Sequence, residues 1–170
     1  MTIKMMGAML IIGACGLFGF SIAASSRREE SALRELIAAL DYMACELQYR
    51  LTPLPELCRL AGVECKKGTG KVLLQLAEEL ESQISPDVES CMNIALKSGS
   101  DQPRLVTEAF RLLGSSLGRF DVEGQMNGLE TVRSFCRREL EAMSLNRDAR
   151  LRSYQTLSLC AGAALAILFV

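Results

Sequence analysis

Apolar residues are distributed unevenly along the chain, as two unbroken runs at its ends and as periodic stripes between them. Residues 5–24 and 157–170 contain no charged residue. Between these runs, apolar residues recur every three or four positions, which is the spacing of one helix face. No stretch alternates apolar and polar residues with the period of a strand. The pattern predicts an all-α chain with a helical bundle between two terminal helices.

The first apolar run is long enough to cross a membrane. A helix needs about 20 apolar residues to span the hydrocarbon core of a bilayer, and residues 5–24 meet that length. A cleavable signal peptide is the alternative, with Lys4 in its basic region and residues 21–23 as the cleavage tripeptide. We favour a retained anchor, because the run is longer than the apolar part of a usual signal peptide and continues into a helical stripe.

The second apolar run is shorter. Together with the three preceding residues it forms segment 154–170, about 25 Å long as a helix, which is enough for a slightly thinned bilayer. Small residues recur in it at every fourth position, a spacing that lets helices approach closely in lipid: Ser158, Gly162 and Ala166. We therefore expect a transmembrane helix at 1–24, a helical bundle domain at 25–153 and a C-terminal transmembrane helix at 154–170.

Basic residues indicate on which side of the membrane the bundle lies. Arg27 and Arg28 follow the first apolar run and Arg150 and Arg152 precede the second, whereas Lys4 is the one basic side chain beyond them. By the positive-inside rule, the bundle is cytoplasmic. The seven cysteines have no disulfide-framework spacing, which is typical of reduced thiols in the same compartment.

Prolines and glycines divide the bundle into helices. The first stripe continues from the apolar run to about residue 50 and stops ahead of Pro53, after which a short helix follows. Residues 62–70 contain three glycines and are predicted to form a loop. Cys58 and Cys65 are accordingly expected in the least buried stretch.

Cap residues predict where later helices begin. Ser85 lies ahead of a proline, and Asp101 or Gln102 lies ahead of Pro103, which is the order of a cap followed by proline in the first turn. Asp121 is the predicted cap of the last helix, because a carboxylate suits the positive end of the helix dipole. That helix is predicted to continue into the second apolar run.

Composition excludes several kinds of chemistry. The chain has no His and no Trp, so it lacks an imidazole base or metal ligand and has few platforms for stacking bases. Its 19 basic and 20 acidic residues give a net charge of −1, which argues against nucleic-acid binding. Residues 68–71 do not complete a phosphate-binding loop, because Cys65 and Val72 stand where that motif needs Gly and Ser or Thr. We therefore predict no enzyme, no cofactor and no metal site.

Two stretches carry motifs that together resemble a known family. Residues 46–54 read Glu-Leu-x-Tyr-x-x-Thr-Pro-Leu, and residues 113–125 read Leu-Gly-x-x-Leu-Gly-x-x-Asp-x-x-x-Gln. In the order of these two motifs, in its length and in the apolar run at each end, the chain resembles the stage III sporulation protein AB family. The resemblance covers essentially the whole chain, and the short final apolar run is a mild departure from it.

The resemblance implies a function and partners. Members of this family look like the inner-membrane F platform proteins of type II secretion and type IV pilus machines. The implied role is a non-enzymatic platform or adaptor in endospore-forming bacteria, in the mother-cell membrane around the forespore, with the central domain in the cytoplasm. The implied partners are a stage III sporulation protein AA-like ATPase, other stage III sporulation channel proteins, the membrane and further copies of the chain.

The two motif stretches supply the candidate partner contacts, since the helix lengths predict that both turns lie at the membrane-distal end of the bundle. These candidates are Tyr49, Thr52, Pro53, Glu56, Arg119, Asp121 and Gln125. The structural alternative is that they only shape turns and caps, with Glu46 and Tyr49 paired across the long helices. The alternative function is a homo-oligomeric membrane scaffold with no ATPase partner.

Overall fold

The structure, a computed structural model, is all-helical over the residues it describes, which confirms the predicted fold class. The described residues are 2–65, 68–82, 87–98, 102–117 and 122–169, and side chains are described from residue 24 to residue 145 within these ranges. Six helices occur there, with no strand: α1 (Thr2–Arg50), α2 (Leu54–Glu64), α3 (Gly68–Ser82), α4 (Val88–Ser98), α5 (Arg104–Ser116) and α6 (Val122–Phe169).

The chain divides into two compact units. One unit is Glu29–Leu140, which we call the central unit. The other comprises Met1–Arg28 and Glu141–Val170. Helices α1 and α6 each contribute to both units, whereas α2 to α5 belong to the central unit alone.

The two predicted membrane segments lie almost entirely outside the residues whose side chains are described. Their backbones are helical within α1 and α6. Where side chains are described, no helix combines the length and the apolar character needed to cross a bilayer. The membrane segments, and the boundaries at 24 and 153, therefore remain predictions.

The core of the central unit is built from one apolar face of each helix. Leu33, Leu36 and Leu40 of α1 are each at most 1% exposed, and Phe110 of α5 is fully buried. Their spacing of three or four residues places them on one helix face, so burial of the stripe holds each helix in the bundle. Removing a side chain of this size from water stabilises the fold by about 1.5–3 kcal/mol.

Helices α2 and α3 pack tightly against each other at two glycines. Gly62 lies in α2 and Gly70 in α3, and both are buried. A Cβ atom on Gly70 would lie 2.6 Å from the carbonyl oxygen of Gly62 and 2.7 Å from that of Cys65, so no side chain fits there. The prediction of a loop over 62–70 is therefore wrong at both of its ends, because these glycines allow close packing of two helices and do not form a turn.

The start of α5 is capped by a residue from α1. Pro103 at the cap position makes no side-chain hydrogen bond. The amide of Leu105 instead donates a hydrogen bond of 3.1 Å to Oε1 of Glu29, which brings a carboxylate to the positive end of α5. The predicted cap at Gln102 is therefore wrong. Three further predicted caps lie outside the described residues: Ser85, Asp101 and Asp121.

The cysteines of the central unit are free thiols that differ in exposure. Cys58 is completely buried, so its predicted exposure is wrong, because the face of α2 that carries it packs into the core. Burial raises the pKa of Cys58 to about 12 and the pKa values of Cys65 and Cys136 to about 11. These thiols stay protonated at neutral pH, whereas Cys45 is exposed at the surface.

Candidate functional site

The first predicted motif forms the end of α1 and the turn into α2. Oγ1 of Thr52 donates a hydrogen bond of 3.4 Å to Oε2 of Glu46, across the turn. The carbonyl oxygen of Pro53 accepts the amide of Leu57 at 2.9 Å, which is the first hydrogen bond of α2. Thr52 and Pro53 therefore both make hydrogen bonds that stabilise the turn and the start of α2.

Glu46 is held by neighbours from its own helix and from the turn. Its side chain is only 12% exposed, and its Oε1 lies 3.5 Å from Nη1 of Arg50. Its second oxygen accepts the Thr52 hydroxyl. Burial, and the proximity of Glu46, raise the pKa of Tyr42. The hydrogen bond and the ion pair of Glu46 therefore stay within its own helix and the adjoining turn.

Tyr49 is largely exposed and lines an open groove between α1 and α6. Its exposed fraction is 77%. The groove has a volume of about 630 Å³, and we call it the α1/α6 groove. Side chains of both helices form its walls: Asp41, Cys45, Gln48 and Tyr49 from α1, and Met126, Asn127, Glu130 and Arg133 from α6. The α1/α6 groove is thus a concave surface formed by two helices of the central unit.

An ion-pair network joins the two walls of the α1/α6 groove. Nη1 of Arg133 lies 2.7 Å from Asp41 of α1, and Nη2 lies 2.8 Å from Glu130. The hydrogen bond to Asp41 raises the pKa of Arg133, so the guanidinium stays charged. One guanidinium and two carboxylates leave this part of the groove with a net charge of −1.

The turn also contains an apolar residue that the sequence analysis missed. Leu51 has a φ angle of 52° and is 66% exposed. The left-handed conformation costs a residue with a Cβ atom about 1–2 kcal/mol and is the one that glycine adopts freely. Leu51 follows the buried Leu47 by four positions, so it fits the apolar stripe and the pattern gives no sign that it is exposed.

Glu56 lies in the first turn of α2 and is part of a chain of ion pairs. Its Oε2 lies 3.8 Å from Nη1 of Arg59, and Arg59 also binds Glu81 of α3. About half of the Glu56 side chain is exposed. Glu56 is therefore accessible to a partner, although it already has a role in linking α2 to α3 through Arg59.

The candidates from the second motif are less fully described. Gln125 is half-buried in the first turn of α6, directly before Met126 of the α1/α6 groove. Arg119 and Asp121 lie outside the described residues. The structure thus brings the start of α6 beside the end of α1, where Tyr49 lies. Partner binding by the seven candidate residues remains a prediction.

Metal and phosphate sites are not apparent in the described part of the chain. No three Cys, Asp or Glu side chains there are close enough together to hold a metal ion. At the start of α3, Thr69 and Gly70 are buried against α2 and are not open to a phosphate group. The α1–α2 turn and the α1/α6 groove, by contrast, include side chains that are open to solvent, such as those of Tyr49 and Leu51.

Comparison with known proteins identifies the family. A family model described as stage III sporulation protein AB matches residues 4–170. The chain belongs to the stage III sporulation protein AB family. It is also similar in fold to a solved structure of "Stage III sporulation protein AB (SpoIIIAB)", with a TM-score of 0.62 and 15% identity over 72% of this chain and 98% of that chain. A search of curated proteins finds no match.

Membership of the stage III sporulation protein AB family confirms the resemblance inferred from the two motifs, both of which lie inside the matched residues. It makes the chain a sporulation protein of a family named for a stage of development and not for a catalysed reaction. At 15% identity the solved structure supports a shared fold, in agreement with the helical architecture described above.

Proposed function

We propose that this chain is a non-enzymatic platform of a secretion-like complex required for endospore formation, which docks a cytoplasmic ATPase to the membrane. The ATPase is of the stage III sporulation protein AA type. The support is membership of the stage III sporulation protein AB family together with the resemblance of that family to the F platform proteins of secretion and pilus machines. Other stage III sporulation channel proteins complete the proposed complex.

One observation of the structure supports a docking role above the others. Tyr49, a member of the first family motif, is 77% exposed and lines the α1/α6 groove. Tyrosine offers a large, rigid contact surface with a polar tip, and it is enriched among residues that dominate protein interfaces. An exposed motif residue without a packing role in its own chain is what a docking surface requires.

The membrane attachment proposed here is supported by the sequence of the terminal segments. Residues 5–24 and 154–170 are predicted anchors, and Arg27 and Arg28 follow the first of them. With this orientation the central unit lies in the mother-cell cytoplasm, at the membrane around the forespore. A cytoplasmic ATPase then has access to the α1–α2 turn and to the α1/α6 groove.

The test is binding of the AA-like ATPase from the same organism to the full chain in mild detergent. We expect the wild-type chain to bind and Tyr49→Ala to weaken binding about tenfold or more, as truncation of an interface anchor does. Val63→Ala is the matched control, because Val63 is an apolar residue of α2 with 69% exposure and outside the motif. Failure of the wild-type chain to bind the ATPase would disprove the proposed function.

A homo-oligomeric membrane scaffold without an ATPase partner is the second candidate. The spacing of small residues in the last segment favours it: Ser158, Gly162 and Ala166. Copies of the chain are expected to associate in either case. Purification of a tagged chain from sporulating cells separates the two functions, since a scaffold is recovered with further copies of itself and without the ATPase.

A further inference from the structure

Five arginines lie directly beyond the two predicted membrane segments, two after the first segment and three before the second: Arg27, Arg28, Arg147, Arg150 and Arg152. We call this set the arginine collar. All five belong to one compact unit, Met1–Arg28 with Glu141–Val170, in which only Glu141 and Asp148 are acidic. The five arginines and these two acids give a net charge of +3. The sequence of the central unit, by contrast, has 13 basic and 18 acidic residues, a net charge of −5.

The register of α1 and α6 predicts that both halves of the arginine collar lie at one level. The start of α1 and the end of α6 belong to one unit and the opposite ends of both helices to the other, so the helices run antiparallel. Asp41 of α1 lies 2.7 Å from Arg133 of α6. Arg27 precedes Asp41 by 14 residues, and Arg147 follows Arg133 by 14 residues. Since each helix rises about 1.5 Å per residue, Arg27 and Arg147 are expected to be level, with the two apolar runs side by side beyond them.

The carboxylates nearest in sequence to Arg27 and Arg28 already have partners in the central unit. Glu29 accepts the amide of Leu105 at 3.1 Å, and Glu30 lies 2.8 Å from Nη2 of Arg34. The positive charge of the arginine collar therefore favours an anion from outside the chain. Arginine suits a phosphate group in particular, since its planar guanidinium can donate two parallel hydrogen bonds to phosphate oxygens.

We propose that the arginine collar binds the phosphate groups of anionic phospholipids, such as phosphatidylglycerol, in the cytoplasmic leaflet beside the two membrane segments. This inference rests on the membrane attachment in the proposed function and adds lipid selectivity to it. Each basic residue immediately cytoplasmic of a membrane helix is attracted to an anionic leaflet by about 1 kcal/mol. The net charge of −5 argues against the central unit as the lipid-binding surface. The net charge of −1 for the whole chain argues against a nucleic acid as the source of the phosphate.

The test is the lipid selectivity of the full chain reconstituted into vesicles of phosphatidylcholine and phosphatidylglycerol. Electron paramagnetic resonance of lipids with a spin-labelled tail gives the association constant of one lipid for the protein relative to the other. We expect the wild-type chain to prefer phosphatidylglycerol by about fivefold or more, the ratio to which the attraction of a single basic residue corresponds. Inorganic phosphate should lower this preference no more than chloride does at equal ionic strength.

The variants change one arginine in each half of the arginine collar. Arg27→Gln with Arg147→Gln should lower the preference about fivefold, whereas Arg27→Lys with Arg147→Lys keeps the charge and should retain most of it. The matched control is Arg137→Gln with Arg138→Gln, which removes the same charge from two exposed residues of α6. Arg138 precedes Arg147 by nine residues, about 14 Å along the helix, which exceeds the Debye length of about 8 Å at physiological salt. The control should therefore leave the preference unchanged.

The outcomes distinguish this inference from the proposed function. Equal association of the two lipids with the wild-type chain, or an equal loss of preference in the control variant, would refute the lipid-binding role of the arginine collar. Loss of the preference on addition of phosphate, but not of chloride, would assign the arginines to free phosphate and also refute it. In each of these cases the platform function stands. If alkaline carbonate releases the wild-type chain from phosphatidylcholine vesicles, the membrane attachment is absent and both proposals fail.

Discussion

The α2/α3 contact and the α1–α2 turn are close in sequence but differ in what determines their residues. At the α2/α3 contact, a Cβ atom on Gly70 would lie 2.6 Å from a backbone oxygen of Gly62, so packing within the chain alone requires glycine. In the turn, Tyr49 and Leu51 are 77% and 66% exposed, and internal packing requires neither. Packing within the chain therefore explains the glycines of the α2/α3 contact. It does not explain why large apolar side chains stand at Tyr49 and Leu51.

The largest expected effect comes from a comparison of two aromatic residues, one buried and one exposed. Phe110 is fully buried, so Phe110→Ala should lower the free energy of unfolding by about 3–5 kcal/mol through lost burial and a cavity. Tyr49 is 77% exposed, so Tyr49→Ala should change the same quantity by less than about 0.5 kcal/mol. Urea unfolding followed by helical ellipticity measures both.

Phe110→Leu is the control for the loss of the aromatic ring alone, and it should cost less than about 1.5 kcal/mol because most of the volume is kept. If Tyr49→Ala destabilised the chain as much as Phe110→Ala, the tyrosine would be a structural residue. The distinction between a region built for stability and one open to partners would then be lost.

The second prediction concerns the glycine contact itself. Gly70→Ala should lower the free energy of unfolding by about 1–3 kcal/mol, since the new methyl group meets the backbone oxygen of Gly62 within α2 and that of Cys65 directly after it. The usual preference of a helix for alanine over glycine, about 1 kcal/mol, acts in the opposite direction. Thermal or urea unfolding of the full chain gives the net value.

Gly62→Ala provides the comparison for this contact. Its Cβ atom would lie 2.9 Å from Cγ of Leu74, a side chain that can adjust, and 3.1 Å from the carbonyl oxygen of Gly70, which is farther away than the two backbone oxygens that a Cβ atom on Gly70 would meet. We therefore expect a smaller loss than for Gly70→Ala. A stabilised Gly70→Ala variant would show that α2 and α3 are free to separate and that the sequence prediction of a loop was closer to the truth.

The sequence predicts features that depend on periodicity and misses those that depend on distant residues. The stripe through Leu33, Leu36 and Leu40 was predicted and is buried, because burial of one helix face imposes its own spacing. The cap of α5 could not be predicted, since its carboxylate comes from Glu29, 76 residues before Leu105. Local patterns contain no information about such a pair.

The candidate site was predictable only in part, for a similar reason. The motif identified the turn and Tyr49, whose exposure the structure shows. Leu51 is an unspecified position of that motif, and its spacing of four residues from the buried Leu47 gave it the same signal as a core residue. The structural role of a glycine was ambiguous as well, because glycine is common both in turns and at close contacts between helices. Gly62 and Gly70 lie at such a helix contact. Only the fold distinguishes these uses.

The smallest expected effect lies in the α1/α6 groove. Asp41 and Arg133 form an ion pair of 2.7 Å between α1 and α6, but the Asp41 side chain is 45% exposed, so solvent screens the interaction. A double-mutant cycle with Asp41→Ala and Arg133→Ala should give a coupling energy of about 0.2–1 kcal/mol in urea unfolding. The coupling should decrease as salt is raised from low to molar concentrations.

The pair between Glu30 and Arg34 within α1 is a matched control, at 2.8 Å and similarly open to solvent, with an expected coupling of about 0.3–0.5 kcal/mol. A coupling well above 2 kcal/mol for Asp41 and Arg133, unchanged by salt, would show that the ion pair locks the two helices together. The α1/α6 groove would then belong with the α2/α3 contact, as a part of the molecule built for stability, and Tyr49 and Leu51 would be left as the surface available to a partner.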